Sequence, residues 1–289
     1  MTHPAIEQKD TGLRNDPADK LIPPPVGKLF GIPVWGLRLD EYVELAKNLV
    51  KAKRKVLFTT IGAPSIACVR KSPEFFNHFQ QADVVLLDGI LPTWLARSLK
   101  YNVPERVPGP DFVNLFLPVA EKEKFRIFFM GSTTKTLDRL RQNCLRKYPE
   151  LNIVGTLAPP FGELSTKTNY RLINAVNRKN PDVLFVGMSA PRQELWLSRN
   201  FERLNVHLAM GVGAAFDYLA GNKRRAPGWL GNLGLEWLYR LVNEPGRLWR
   251  RNIIYNIDLL WMLAKNYLTG VSMKQSNSLL DEDIHPYTK

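Results

Sequence analysis

The stretch Val183-Leu184-Phe185-Val186-Gly187-Met188-Ser189-Ala190-Pro191-Arg192-Gln193-Glu194-Leu195-Trp196 holds an apolar run, a glycine, a turn and a helix start. Four consecutive large apolar residues have strand length. With no polar alternation they read as a strand covered on both faces. Pro191 stands where a helix begins, because the N–H it lacks has no partner in a first turn. Gln193 and Glu194 then fall in that first turn. The same grammar recurs along the chain. Strand-sized runs lie at residues 56–58, 84–87, 127–130, 153–154, 183–186 and 206–210, and four of them end at Asp88-Gly89, Gly131, Gly187 or Gly211. Residues 40–53, 133–147, 166–178 and 191–204 have helical spacing. The alternation predicts an α/β domain: a Rossmann-like, mostly parallel sheet with helices on both faces. Such sheets bind ligands at the carboxyl ends of their strands.

Working outward, residues 1–28 read as a disordered tail, rich in charge and proline with few large apolar residues. The α/β domain is expected over 29–222. Residues 223–269 are expected to form a basic, aromatic, helical appendage that Pro245 divides in two. Residues 270–289 are polar and read as a flexible tail. Between Asn222 and Arg251 there are seven Lys/Arg and two Glu, +5 of the chain's +13. Cations interleaved with Trp237, Tyr239, Trp249 and Trp261 suit a surface that meets phosphates at a membrane.

The bulk properties narrow the class. An apolar fraction of 45% supports a sizeable core. The positive charge calls for an anionic partner: nucleic acid, phosphorylated lipid or an anionic membrane. Cys68 and Cys144 have neither metal-binding nor redox spacing and read as free thiols in a reducing compartment. The first thirty residues lack the apolar core of a secretory signal. No window reaches the roughly 18 apolar residues of a membrane span. A cytoplasmic protein, soluble or peripheral, is expected.

Five constellations sit at the strand ends. Thr60 and Gly62, in Thr59-Thr60-Ile61-Gly62, can approach a phosphate or sugar, or simply form a strand-to-helix turn. Asp88 can take a proton from an attacking hydroxyl, or cap a turn. Gly131 and Ser132 open a possible anion-binding turn. Gln193 and Glu194 either bind a base, ribose or sugar hydroxyl, or are surface residues favoured by the helix dipole. Gly211-Val212-Gly213-Ala214-Ala215 allows close approach of a ligand or tight packing. Neither a dinucleotide nor a P-loop glycine fingerprint is present. His3, His78, His207 and His285 are scattered, with His207 expected inside a strand. Asp281-Glu282-Asp283 has the letters of a metal motif but lies in a polar tail, so no metal site is expected.

Taken in order, Asp88-Gly89, Gly187 to Glu194, Gly211-Val212-Gly213, Arg224-Arg225-Ala226-Pro227 and Leu235-Glu236-Trp237-Leu238-Tyr239-Arg240-Leu241, with Glu244-Pro245 and Arg247, resemble the WecG/TagA/CpsF glycosyltransferases, glycosyltransferase family 26. The resemblance runs from about Leu29 to Leu268. It implies a bacterial, inverting, metal-independent enzyme that needs no cofactor. Such an enzyme moves a sugar (N-acetylmannosamine, its uronic acid, glucose or galactose) from a UDP-sugar to a polyprenyl-diphosphate-linked acceptor. The work is done at the cytoplasmic leaflet, in cell-surface polysaccharide or teichoic-acid synthesis. It makes Asp88 the general base and puts Thr60 and Gln193 in the donor pocket. Gly62, Gly131, Ser132, Gly187, Glu194 and Gly211 are the other candidate donor contacts. Arg240, Arg247 and Arg250 are implied to grip the acceptor's diphosphate. Many members carry Asn where this chain has Gly62, which leaves the donor sugar open.

Two readings from other classes compete. The basic segment could bind nucleic acid, which would make association salt-sensitive. Alternatively, the domain could be a Rossmann-type oxidoreductase, a reading that lacks the glycine fingerprint.

Overall fold

The computed structural model describes residues 21–69, 72–226 and Tyr239. A two-stranded antiparallel hairpin, β1 (Gly27–Leu29) and β2 (Ile32–Val34), comes first. Of the tail expected over 1–28, residues 21–28 are placed, and the Trp35 indole donates to the Pro23 carbonyl at 2.7 Å. Helix α1 (Leu39–Lys51) follows. Next come β3 (Val56–Ile61), α2 (Ala63–Val69), α3 (Pro73–Gln81), β4 (Val84–Leu87), α4 (Ile90–Ser98) and α5 (Gly109–Lys122). The second half runs β5 (Ile127–Gly131), α6 (Thr134–Lys147), β6 (Ile153–Leu157), α7 (Thr166–Lys179), β7 (Val183–Gly187), α8 (Arg192–Asn200), β8 (Leu208–Gly211) and α9 (Ala215–Leu219).

Six of these strands form one parallel sheet in the order β4-β3-β8-β7-β5-β6. The layering is the expected Rossmann-like one, but the strand order is not the 3-2-1-4-5-6 of dinucleotide-binding domains. Strands β4, β5, β7 and β8 are buried at every residue, so both faces of the sheet must be covered. Two groups of helices cover it. In one, α1 packs on α5, and α5 and α6 pack on α9; in the other, α2 packs on α3 and α3 on α8. Helix α7 joins the second group: Asn169 bridges to Asn200 at 2.7 Å and to the Trp196 indole at 2.8 Å. Each large apolar side chain buried this way contributes about 1.5–3 kcal/mol.

The helix faces follow from spacing. In α1 the buried residues Tyr42, Val43, Leu45, Ala46, Leu49 and Val50 recur every three or four positions. Ser72, Thr133 and Ser165 cap α3, α6 and α7 by accepting from the N–H three residues on. Two expectations shift. The run at 206–210 pairs only from Leu208, leaving His207 outside the strand and half-buried, its Nε2 3.8 Å from Asp182. The helix expected over 191–204 ends at Asn200 and tightens into a 3-10 turn, Phe201–Arg203.

This topology places the site. Neighbouring strands β8 and β3 send their next helices, α9 and α2–α3, to different groups, and β7 and β5 do the same with α8 and α6. At such a switch point the loops diverge, and the crevice between them along the sheet's carboxyl edge is where open α/β sheets bind ligands.

Candidate active site

Strands β3 and β4 bring Thr60, Gly62 and Asp88 together. Ile61 stands opposite Leu87 in the ladder, and the Asp88 N–H donates to the Ile61 carbonyl at 2.9 Å. A Cβ on Gly62 would lie 3.1 Å from the Asp88 carbonyl, so glycine lets the two strand ends close together. Beyond Asp88 the chain turns at Gly89 into α4, and the Thr93 hydroxyl donates to the Gly89 carbonyl at 2.8 Å. Asp88 is thus held from both sides and half-buried at the lip of the crevice.

A stretch the sequence reading passed over forms the roof. The Val107 N–H donates to the Leu87 carbonyl at 2.7 Å, which carries the chain across the end of β4 with Arg106 beside it. Helix α5 then starts over β3 and β8. A Cβ on the buried Gly109 would lie 3.7 Å from both the Thr60 methyl and the Val212 Cα. In its first turn, Asp111 accepts from both terminal nitrogens of Arg225, with Nη2–Oδ2 at 2.7 Å. That forked pair ties the root of the C-terminal segment to the rim of the site. Proline, glycine, proline and aspartate at 108–111 are a helix-start signature that could have flagged this stretch.

The next two strands contribute Gln193, Glu194 and Gly211. Both side chains at the start of α8 are buried, so the surface reading of this first turn is set aside. The Gln193 amide oxygen accepts from the Gly213 N–H at 3.0 Å, and its nitrogen donates to Glu194 Oε1 at 2.8 Å. A Cβ on Gly211 would come within 2.9 Å of the Gln193 amide. Gln193 therefore supports the glycine turn after β8 from beneath, and Glu194 orients Gln193.

Gly131, Ser132 and Gly187 lie farther along, where β5 meets β7. Gly131 has φ +140°, and a Cβ there would collide with the backbone of Gly187. The Ser132 N–H donates to the Gly187 carbonyl at 3.0 Å, so it is spent within the protein, and Ser132 is half-buried. Gly187 is covered by the Phe216 ring, which a Cβ would meet at 2.5 Å. In this pair, close packing explains the glycines. Arg240, Arg247, Arg250 and the Asp281–Asp283 triplet lie outside the described residues.

The carboxyl edge therefore presents, in spatial order, Asp88, then Thr60 and Gly62, then the Gly211–Gly213 turn, then Gly187, then Ser132. Four strand spacings separate the first from the last, about 19 Å. The chain resembles known proteins over this whole framework. Among the proteins it is similar to are three bacterial relatives, each named an N-acetylglucosaminyldiphosphoundecaprenol N-acetyl-beta-D-mannosaminyltransferase. The protein from Bacillus subtilis strain 168 is 27% identical over 224 residues, covering 77% of this chain and 85% of the relative. That from Bacillus spizizenii is 26% identical over 248 residues, 83% of this chain and 94% of the relative. That from Staphylococcus aureus MW2 is 25% identical over 231 residues, 76% and 87%. Residues 27–272, the whole α/β domain and the whole basic segment, match the model of the WecG/TagA/CpsF family, and the chain belongs to that family of glycosyltransferases.

Proposed function

We propose that the protein transfers a sugar from a UDP-sugar to a sugar carried on a polyprenyl diphosphate, with inversion at the anomeric carbon and Asp88 as general base. The acceptor class is argued from the relatives, whose names specify a diphosphoundecaprenol-linked N-acetylglucosamine. The observation that carries the role of Asp88 is its place: at the end of β4, pinned to Ile61, next to Thr60 and Gly62. In the reaction the acceptor hydroxyl attacks C1 of the donor sugar while Asp88 takes the hydroxyl proton. The bond from C1 to the UDP oxygen breaks, and UDP leaves with the electron pair. Holding both substrates in line supplies much of the rate.

The edge from Asp88 to Ser132 is long enough for an extended nucleotide-sugar to lie across β3, β8 and β7. Thr60 and the Gly211–Gly213 turn are the contacts proposed for it, with Gln193 acting by holding that turn from beneath. Negative charge develops on the departing diphosphate, and arginines suit it because their planar fork stays charged and bonds bidentately. Arg240, Arg247 and Arg250 are proposed to hold the acceptor's diphosphate. The enzyme is proposed to work at the inner face of the cell membrane as a peripheral protein. No helix among the described residues is long and apolar enough to cross a membrane. N-acetylmannosamine, the sugar in the relatives' names, is the first donor to test. Gly62, where the resemblance puts Asn in many members, leaves other sugars open because it lacks that amide.

The test is a panel of UDP-sugars offered with a short-chain polyprenyl-diphosphate N-acetylglucosamine, reading UDP release. With the best donor, Asp88→Asn should lower kcat by about 10²–10⁴ while UDP binding by calorimetry is retained. Near-normal turnover in that variant would remove Asp88 from the mechanism.

A further inference from the structure

Helix α4 leaves the strand end directly after Asp88 and turns an apolar face outward. Pro92, Thr93, Leu95 and Ala96 are buried against the domain. Ile90 and Trp94, by contrast, are 43% and 52% exposed. Four residues apart, they share one side of the helix, with Trp94 about 6 Å farther along the axis. Arg97 continues the stripe by another turn, and α4 contains no acidic residue. At the opposite edge of the sheet, the loop after β6 raises Phe161, 77% exposed, on the same carboxyl-terminal side. Arg192 holds that loop by donating to the Pro160 carbonyl. The strands that lead to these two points, β4 and β6, are the outer strands of the sheet, five strand spacings or about 24 Å apart, so the points lie toward opposite ends of its carboxyl edge.

The geometry of the reaction identifies the occupant. The proposed acceptor is anchored in the bilayer by its polyprenyl chain. Only a diphosphate and one sugar separate that chain from the hydroxyl that Asp88 deprotonates. Asp88 must come within that short reach of the lipid, so the surfaces adjoining it are pressed toward the bilayer. Tryptophan beside an aliphatic residue, with a cation one turn behind, is a set of side chains that partitions to the boundary between headgroups and hydrocarbon. We infer that the carboxyl edge of the α/β domain is itself a docking surface for an anionic bilayer, with Ile90 and Trp94 at one end and Phe161 at the other. The inference rests on the lipid-linked acceptor proposed above. It adds a contact separate from the basic C-terminal segment.

The experiment uses the full chain and vesicles of phosphatidylethanolamine and phosphatidylglycerol. Two variants are compared with the parent protein: Ile90→Ser combined with Trp94→Ser, and Phe161→Ser. Each is assayed for vesicle sedimentation, for turnover of a water-soluble short-chain acceptor, and for turnover of a long-chain acceptor embedded in the vesicles. The double variant should lose about thirtyfold in vesicle partition, as expected when two half-exposed apolar side chains no longer insert. Phe161→Ser should lose about fivefold. Turnover of the embedded acceptor should fall in step, while that of the soluble acceptor stays within about twofold of the parent. Unchanged sedimentation in both variants overturns the inference. So does retained vesicle binding with a dimer-to-monomer change on gel filtration, which would make the face a contact between copies. If the parent fails to use even the soluble acceptor, the proposed function falls, while sedimentation still decides the docking surface.

Discussion

Gly187 sits at the end of β7 with the Phe216 ring 2.5 Å from where a Cβ would be, and Phe216 in turn packs edge-on against Phe129. A methyl group there has no space to enter. Gly187→Ala should cost about 1–3 kcal/mol of stability, read as a lowered urea midpoint with an unchanged slope. His78 shows a different residue-scale effect. It is buried in α3, with Nε2 2.9 Å from the Thr59 hydroxyl and its ring edge-on to Phe79. Burial pushes its imidazole pKa down to about 3 from an ordinary 6.5. The folded chain therefore keeps His78 neutral while the unfolded chain protonates it below about pH 6.5. Stability from this group is fully present above the unfolded value and is lost as pH falls toward the folded one. Between pH 7 and pH 5 the loss should be about 2 kcal/mol. Urea titrations at the two pH values should show it, and His78→Gln should flatten the difference. A midpoint for His78→Gln as acid-sensitive as the parent's would contradict this assignment. From the sequence, His78 was one scattered histidine among four, because burial by α3 against β3 is a property of the assembled layer.

At the scale of elements, the start of α5 joins the two parts of the proposed enzyme. Gly109 rests on Thr60 and Val212, and two residues later Asp111 grips Arg225, from which the chain enters its basic segment. Breaking this clasp should disturb where the segment starts without touching the donor pocket. Asp111→Asn is expected to raise KM for the lipid acceptor about fivefold, equivalent to about 1 kcal/mol, with UDP affinity unchanged. Equal rises in donor and acceptor KM would instead point to a general loss of α5 packing. The element boundaries show what one-dimensional reading can and cannot find. Helices α6 and α7 were legible because cap, periodicity and a basic last turn agree. Helices α4 and α5 were not, because Pro92 and Pro118 lie inside them and interrupt the pattern. The early end of α8 and the late start of β8 are likewise set by their neighbours: Val56 takes the His207 carbonyl before the ladder proper begins.

At the scale of the whole molecule, membership of a glycosyltransferase family decides against the oxidoreductase and nucleic-acid readings that charge and fold class alone left open. The sheet order agrees with that, since it departs from the dinucleotide-binding arrangement. By itself the sequence determined the α/β class, all six strands of the parallel sheet to within a few residues, Asp88 and Thr60 as residues at strand ends, and Gln193 as one in a helix's first turn. These are local facts, carried by runs of apolar residues and the glycines that stop them. Only the tertiary structure decided which strand ends are neighbours, that Gln193 and Glu194 are buried beneath a glycine turn, and that Gly131 and Gly187 answer to packing. It alone showed that Asp111 meets Arg225 across 114 positions of chain. Those outcomes depend on contacts between segments distant in sequence, and no periodicity along the chain encodes which distant segment a side chain will meet.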